Sequence, residues 1–242
     1  MPQPAPQPEL ISYNALRILV GLIGIALPIA LLLSARHPNI AFEPSISEFF
    51  YTDAREIMVS SLCAIGVFLI AYRGFAAEEG EWISDNVLST LAGLFAIGIA
   101  YFPTAGDKVA APVLEAVTLT QELLGIDSVR FLHLAFAGGF FAVLAGICWF
   151  KFARTRSPSR RKFYRGCAVV LIAVLAIIAV ISLTGLGTNE AVRGARVVFW
   201  VETIGVWVFG LAWLVKGLPR DRSKDLPDAA EAMPRAQLVE VG

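Results

Sequence analysis

The stretch GCAVVLIAVLAIIAVISLTGLGTN, residues 166–189, runs for 24 residues without a Lys, Arg, Asp or Glu. A helix rises 1.5 Å per residue, so about 20 apolar residues cross a hydrocarbon layer roughly 30 Å thick. The stretch therefore reads as a membrane span. Working outward, five more stretches share its character: residues 18–35, 57–72, 86–106, 131–150 and 197–215, the last interrupted only by Glu202. These are continuous apolar runs without the two-residue alternation of a barrel strand, so each is expected to be a helix. Only a helix or a closed barrel satisfies its backbone in lipid. The expected fold is all-α: a polytopic membrane protein with a bundle of six transmembrane helices over residues 11–217, between a disordered N-terminal tail, 1–10, and a disordered tail, 218–242.

Composition agrees. Hydrophobic residues make up 57% of the 242 and charged residues 17%, against roughly 45–50% and about 25% in soluble domains. With 20 basic and 20 acidic residues there is no net charge to recruit nucleic acid, and the partner that composition implies is membrane lipid. Fourteen of the 20 basic residues fall on one side of the six spans, seven of them between Lys151 and Arg165. The positive-inside rule then puts both termini in the cytoplasm, in a plasma (bacterial inner) membrane. Residues 1–9 lack a basic run, so the first span is read as retained and not as a signal peptide. Pro28 is expected to kink it. Cys63, Cys148 and Cys167 lie in or beside spans and read as small apolar residues. Between the third and fourth spans, residues 105–130 carry Val113, Leu114, Val117, Leu119, Leu123, Leu124 and Ile126 at spacings near 3 and 4, as in an amphipathic helix on the outer surface or a cap over an entrance.

Charge at membrane depth costs several kcal/mol unless paired or wet, so the few such residues are the candidate site. Glu202 lies six residues past Arg196, about 9 Å into its helix, and His133 lies three past Arg130. Both belong to the outer half. Beside them runs Glu43-Pro-Ser-Ile-Ser-Glu-Phe-Phe-Tyr-Thr-Asp-Ala-Arg-Glu56. If it is helical from Ser47, Glu48, Thr52, Arg55 and Val59 share a face, with Ser45 or Ser47 as cap. The expected result is an outer polar pocket of Glu48, Asp53, Arg55, Glu56, His133 and Glu202, roofed by Phe49, Phe50, Tyr51 and Tyr101. Ion pairing supplies the plainer use of the same residues: Arg55 with Glu202 or Glu48, and His133 with a carbonyl or carboxylate. No phosphate-binding loop, dinucleotide fingerprint or His-Glu-x-x-His motif is present, and no cofactor is expected. Gly138 and Gly139 read as close-packing positions, and Gly185 and Gly187 as turn positions.

Pro44-Ser-Ile-Ser-Glu48, Tyr72-Arg-Gly74, Phe102-Pro-Thr104, Leu132-His133 and Trp200-Val-Glu202 together resemble uncharacterised bacterial six-helix membrane proteins. They are also similar, more distantly, to the DRAM and FGF-receptor-activating protein group. This resemblance implies six helices without an assigned activity. Ile46-Ser-Glu-Phe-Phe-Tyr-Thr52 is faintly similar to a metal-ligand segment of alkaline ceramidases, but that family depends on several membrane histidines and this chain places one, His133, in a span. Three function classes follow. The leading one is a binding or scaffold protein whose outer pocket takes a lipid or small ligand or supports a partner protein or second copy. The others are a metal-dependent lipid hydrolase with Glu48, His133 and Glu202 as metal ligands, and a small proton-coupled transporter working through Glu202.

Overall fold

The computed structural model describes residues 8–72, 83–104, 118–155 and 157–218. Their order is α1 (Pro8–Ser34), a single 3-10 turn (Ser47–Tyr51), α2 (Arg55–Ala71), α3 (Asp85–Tyr101), α4 (Leu119–Leu124), α5 (Ile126–Gly146), a π turn (Ile147–Phe152) that prolongs α5, α6 (Pro158–Thr184), a short 3-10 turn (Leu186–Thr188), α7 (Glu190–Gly194) and α8 (Val197–Gly217). No strand occurs among the described residues.

Four helical runs are long and apolar enough to cross a membrane: Tyr13–Ser34, Ile126–Phe152, Pro158–Thr184 and Val197–Gly217. Four such helices mark a membrane protein. Of the six expected spans, α2 and α3 fall outside this set, with 17 residues each, about 26 Å of helix. Each stops where its sequence stops it: α2 turns extended at Tyr72, and α3 ends two residues before Pro103, which disfavours helix in the residue preceding it. The fourth apolar stretch goes the other way, since α5 begins at Ile126, five residues earlier than its charge-free core.

The long helices pack in a ring. α1 lies against α8 and α2, α2 against α3, α3 against α5, α5 against α6, and α6 closes on α8. Two contacts in the ring are set by paired glycines. A Cβ on Gly21 would stand 2.7 Å from the Gly210 carbonyl oxygen, and one on Gly210 would stand 2.8 Å from the Gly21 oxygen. Gly66 of α2 and Gly93 of α3 repeat the arrangement at 2.8 and 2.5 Å. Helices in lipid gain their contact from van der Waals packing, and small residues let the backbones approach. Of the two glycines expected to serve close packing, Gly139 does, against the Phe95 ring, whereas Gly138 has only ordinary contact with Leu175. Gly185 takes the left-handed conformation, φ 72°, that ends α6.

α1 runs unbroken through Pro28. Proline lacks the N–H that would bond the carbonyl four residues earlier. Close to that gap, the Trp207 indole N–H of α8 donates to the Ile25 carbonyl at 3.1 Å. The three cysteines are free thiols, Cys148 and Cys167 buried and Cys63 half-buried. The two expected tails lie largely outside the described residues; their inner edges, residues 8–10 and 218, are the start of α1 and the residue after α8.

Candidate functional site

The polar residues at membrane depth meet at the end of the ring that carries residues 35–54 and 185–196. What they meet is the chain itself. The 42–54 segment is folded inward, with Glu43, Ser45, Ile46, Ser47, Phe49, Phe50 and Ala54 all buried. Phe49 is completely covered and packs beside Phe199, 6.1 Å between ring centres.

Residues 42–46 lie along the first two turns of α8, touching it at every second residue. Arg196 Nε donates to the Phe42 carbonyl at 3.1 Å, and its guanidinium lies over the Phe42 ring at 4.6 Å. The Pro44 carbonyl accepts from the Phe199 N–H at 2.8 Å. That N–H belongs to the first turn of α8, where backbone donors have no partner within the helix. Glu202 Oε2 accepts from the Ile46 N–H at 2.6 Å, with the Ser47 N–H directed at the same carboxylate. Arg196, which starts α8, holds φ 52°, and is the one non-glycine with positive φ among the described residues. A side chain in that region is strained by about 1–3 kcal/mol and persists only where its surroundings hold it. Here the hold is the pair of carbonyls its guanidinium grips, Phe42 and Gly194.

The far end of the segment is fixed by α5 and α3. His133 Nδ1 stands 2.7 Å from the Phe102 carbonyl, and Nε2 stands 3.1 Å from Ser47 Oγ. A carbonyl only accepts, so Nδ1 carries the proton, and in the neutral ring Nε2 takes the Ser47 hydroxyl proton as acceptor. The carbonyl partner expected for His133 is thus present. Tyr51 donates to the Thr104 carbonyl and accepts from Gln121 Nε2 at 3.0 Å.

The expected pocket differs in three respects. First, the helix from Ser47 is a single 3-10 turn, so Glu48, Thr52, Arg55 and Val59 do not form one helical face. Thr52 breaks it: its backbone is extended, its hydroxyl donates to the Phe49 carbonyl, and the same hydroxyl accepts from the Ala54 N–H. Such local bonds compete with helix. Second, Phe49 and Phe50 lie in the core as an anchor and do not roof a pocket, while Tyr101 is exposed. Third, the charged residues diverge. Glu48 pairs with Arg193 at 2.9 Å, Arg55 donates to the Phe50 carbonyl at 2.6 Å and covers its ring, and Asp53 and Glu56 face outward. Ser45, and not Ser47, caps the turn, its hydroxyl accepting from the Glu48 N–H at 3.1 Å.

Glu48 is thus turned to Arg193 while Ser47 lies between His133 and Glu202, and no three His, Cys, Asp or Glu side chains converge as metal ligands among the described residues. Sequence reasoning missed Arg193, Arg196 and Glu43. The cations follow apolar 166–189 too closely to register as anything but loop, and only the contacts reveal their target. Glu43, outside the helices, has its carboxyl pushed up to about 7 chiefly by burial, with Glu48 adding to the shift and Arg193 and Arg196 offsetting it.

No protein-family model, curated protein or solved structure matches the chain.

Proposed function

We propose that the chain is a six-helix integral protein of a bacterial inner membrane, both termini cytoplasmic, that works by binding. In this reading the 42–54 segment is a plug over a polar floor made by Glu202 and His133, and a lipid or small ligand takes its place. One observation carries the proposal: Glu202 of α8 and His133 of α5, ionisable side chains at membrane depth, each make a hydrogen bond to this one segment, to the Ile46 N–H and the Ser47 hydroxyl. A ligand that replaces Ile46 and Ser47 must offer what they offer, an N–H donor for the carboxylate and a hydroxyl for the imidazole. An amide-bearing lipid or short peptide has both groups. The short α2 and α3 join the other four as spans in this topology, by tilting less or by local thinning of the bilayer. The similarity to the DRAM and FGF-receptor-activating protein group remains part of the proposal, since it too describes six helices and this first outer loop.

The transporter reading draws on the same carboxylate. Glu202 accepts from backbone amides, which remain donors whether or not the acid is protonated, so a proton can come and go without breaking the contact.

Native mass spectrometry of the protein released gently from its own membrane tests the binding reading. A stoichiometric lipid or small molecule retained by the wild type and weakened in Glu202→Ala and in His133→Ala supports it. No retained species in any of the three would refute it, and a stoichiometric divalent metal would put the hydrolase ahead of it.

A further inference from the structure

α4 is six residues long and two-sided. Its buried face presents Gln121, whose amide donates to the Tyr51 hydroxyl at 3.0 Å, and Tyr51 in turn donates to the Thr104 carbonyl. The opposite face is bare: Leu119 is 69% exposed, Leu123 73% and Phe131, just inside α5, 70%. Leu124 and Ile126 complete the patch, and Leu134 continues it down the outward side of α5. Isolated exposed leucines are ordinary, but a contiguous patch is a contact surface. The occupant follows from position, because the patch lies at and just before the start of the Ile126–Phe152 run, which is long and apolar enough to cross a membrane. Glu122, Asp127 and Arg130 are exposed among these leucines, as expected where hydrocarbon gives way to headgroups.

The helix is also stiffly built for its length. Thr118 and Gln121 form a reciprocal capping box, and the Thr120 hydroxyl donates to the Tyr101 carbonyl at 3.2 Å, tying α4 to the end of α3. A displacement of α4 is thereby passed to Gln121. The next bond in the chain is to the 42–54 segment.

We propose that α4 is a lipid-resting lever: its leucine face sits in the outer leaflet of the bilayer, and through Gln121 and Tyr51 the state of that leaflet sets how firmly the 42–54 segment is seated. The inference rests on the plug reading and adds to it a partner, the lipid surface, and a means of control. Thinning, thickening or fluidising the leaflet alters the position of α4 and strains or relaxes one half-buried hydrogen bond.

Two measurements on the full chain in phosphatidylcholine vesicles test it. Leu123→Trp is compared with the wild type, which already has five tryptophans, for quenching by lipids brominated high on the acyl chain. The added fluorescence should be quenched by the brominated lipid and not by aqueous acrylamide; acrylamide quenching without bromine quenching overturns the lipid contact. Seating is then read from labelling of Ile46→Cys by a membrane-impermeant maleimide. Adding Leu119→Glu with Leu123→Glu, or Gln121→Leu alone, should raise the labelling rate roughly tenfold, the effect of losing one hydrogen bond of ordinary net strength. Gln121→Leu leaves the apolar patch intact, so it keeps the test decisive if the double acidic variant fails to fold. Unchanged labelling in Gln121→Leu overturns the lever; if Glu202→Ala still raises labelling in that case, the plug stands without it.

Discussion

Arg196 is the residue at which the cost of the arrangement is visible, since a non-glycine at φ 52° is tolerated only for what its side chain holds. Arg196→Ala keeps the strain and removes the grip on the Phe42 and Gly194 carbonyls, so it should weaken seating of the 42–54 segment by about 1–3 kcal/mol, whereas Arg196→Gly relieves part of that loss. Hydrogen exchange at the Ile46 amide distinguishes them, fastest in Ala, slower in Gly and slowest in the wild type; exchange in Ala as slow as in the wild type would mean that the guanidinium does not hold the segment. Glu43 supplies a pH dependence. Its carboxyl titrates near 7 when buried and near 4.5 when free, so the seated state binds the extra proton and is favoured at low pH. Seating should therefore weaken as pH rises from about 4.5 through about 7, seen as maleimide labelling of Ile46→Cys that accelerates relative to labelling of the exposed Asp53→Cys. Glu43→Gln should remove most of that trend. A trend of the same size in Glu43→Gln would overturn the role of Glu43 and assign the trend to another acid of the site. Glu202 and His133 stood out in the sequence because charge in an apolar run is rare, and the structure sets both against the same segment. Arg193, Arg196 and Glu43 did not, because a cation or an acid in a loop is common and only long-range contacts distinguish these from others.

At the scale of elements, the ring depends on glycines that a hydropathy profile scores as indifferent. Gly210→Val places side-chain atoms where α1 and α8 backbones touch, and should destabilise the folded protein in detergent by about 1–3 kcal/mol as overpacking does elsewhere. Gly166→Ala, where a Cβ would meet nothing within 4 Å, serves as the control and should cost far less. Equal midpoints in a denaturant titration would contradict the assignment of Gly21 and Gly210 as the close crossing. The apolar stretches located every long helix, since lipid exposure leaves a continuous signal. Boundaries were less legible. The charge-free stretch 86–106 overruns α3 because Pro103 ends the helix while the sequence stays uncharged, and the 47–59 helix fails because the Thr52 hydroxyl offers its neighbours a competing turn. Both errors arise from local bonding, which helical periodicity does not register.

Over the whole molecule, the same end of the bundle gathers the 42–54 segment, α7 and the start of α8, while Lys151, Arg154, Arg160, Arg161, Lys162 and Arg165 lie at the other end of α5 and α6. In the proposed topology, which puts the basic end in the cytoplasm, the segment faces outward. The inward folding of 42–54 is the part of the architecture that no periodicity announced, because a short segment with three acidic residues reads as a solvated loop until its carbonyls and amides are matched to Arg196, Phe199 and Glu202. The account stands on that segment being seated from the outside on Glu202. Labelling with a membrane-impermeant maleimide on intact cells tests it most directly, comparing Asp53→Cys, Ile46→Cys and Ile46→Cys with Glu202→Ala against the wild-type thiols, which are buried or half-buried. Asp53→Cys is predicted to label at once, Ile46→Cys to resist, and Ile46→Cys to become reactive when Glu202→Ala removes the acceptor of its own N–H. Equal labelling of Ile46→Cys and Asp53→Cys would contradict the seating, and protection of both, relieved only by permeabilising the cells, would contradict the orientation.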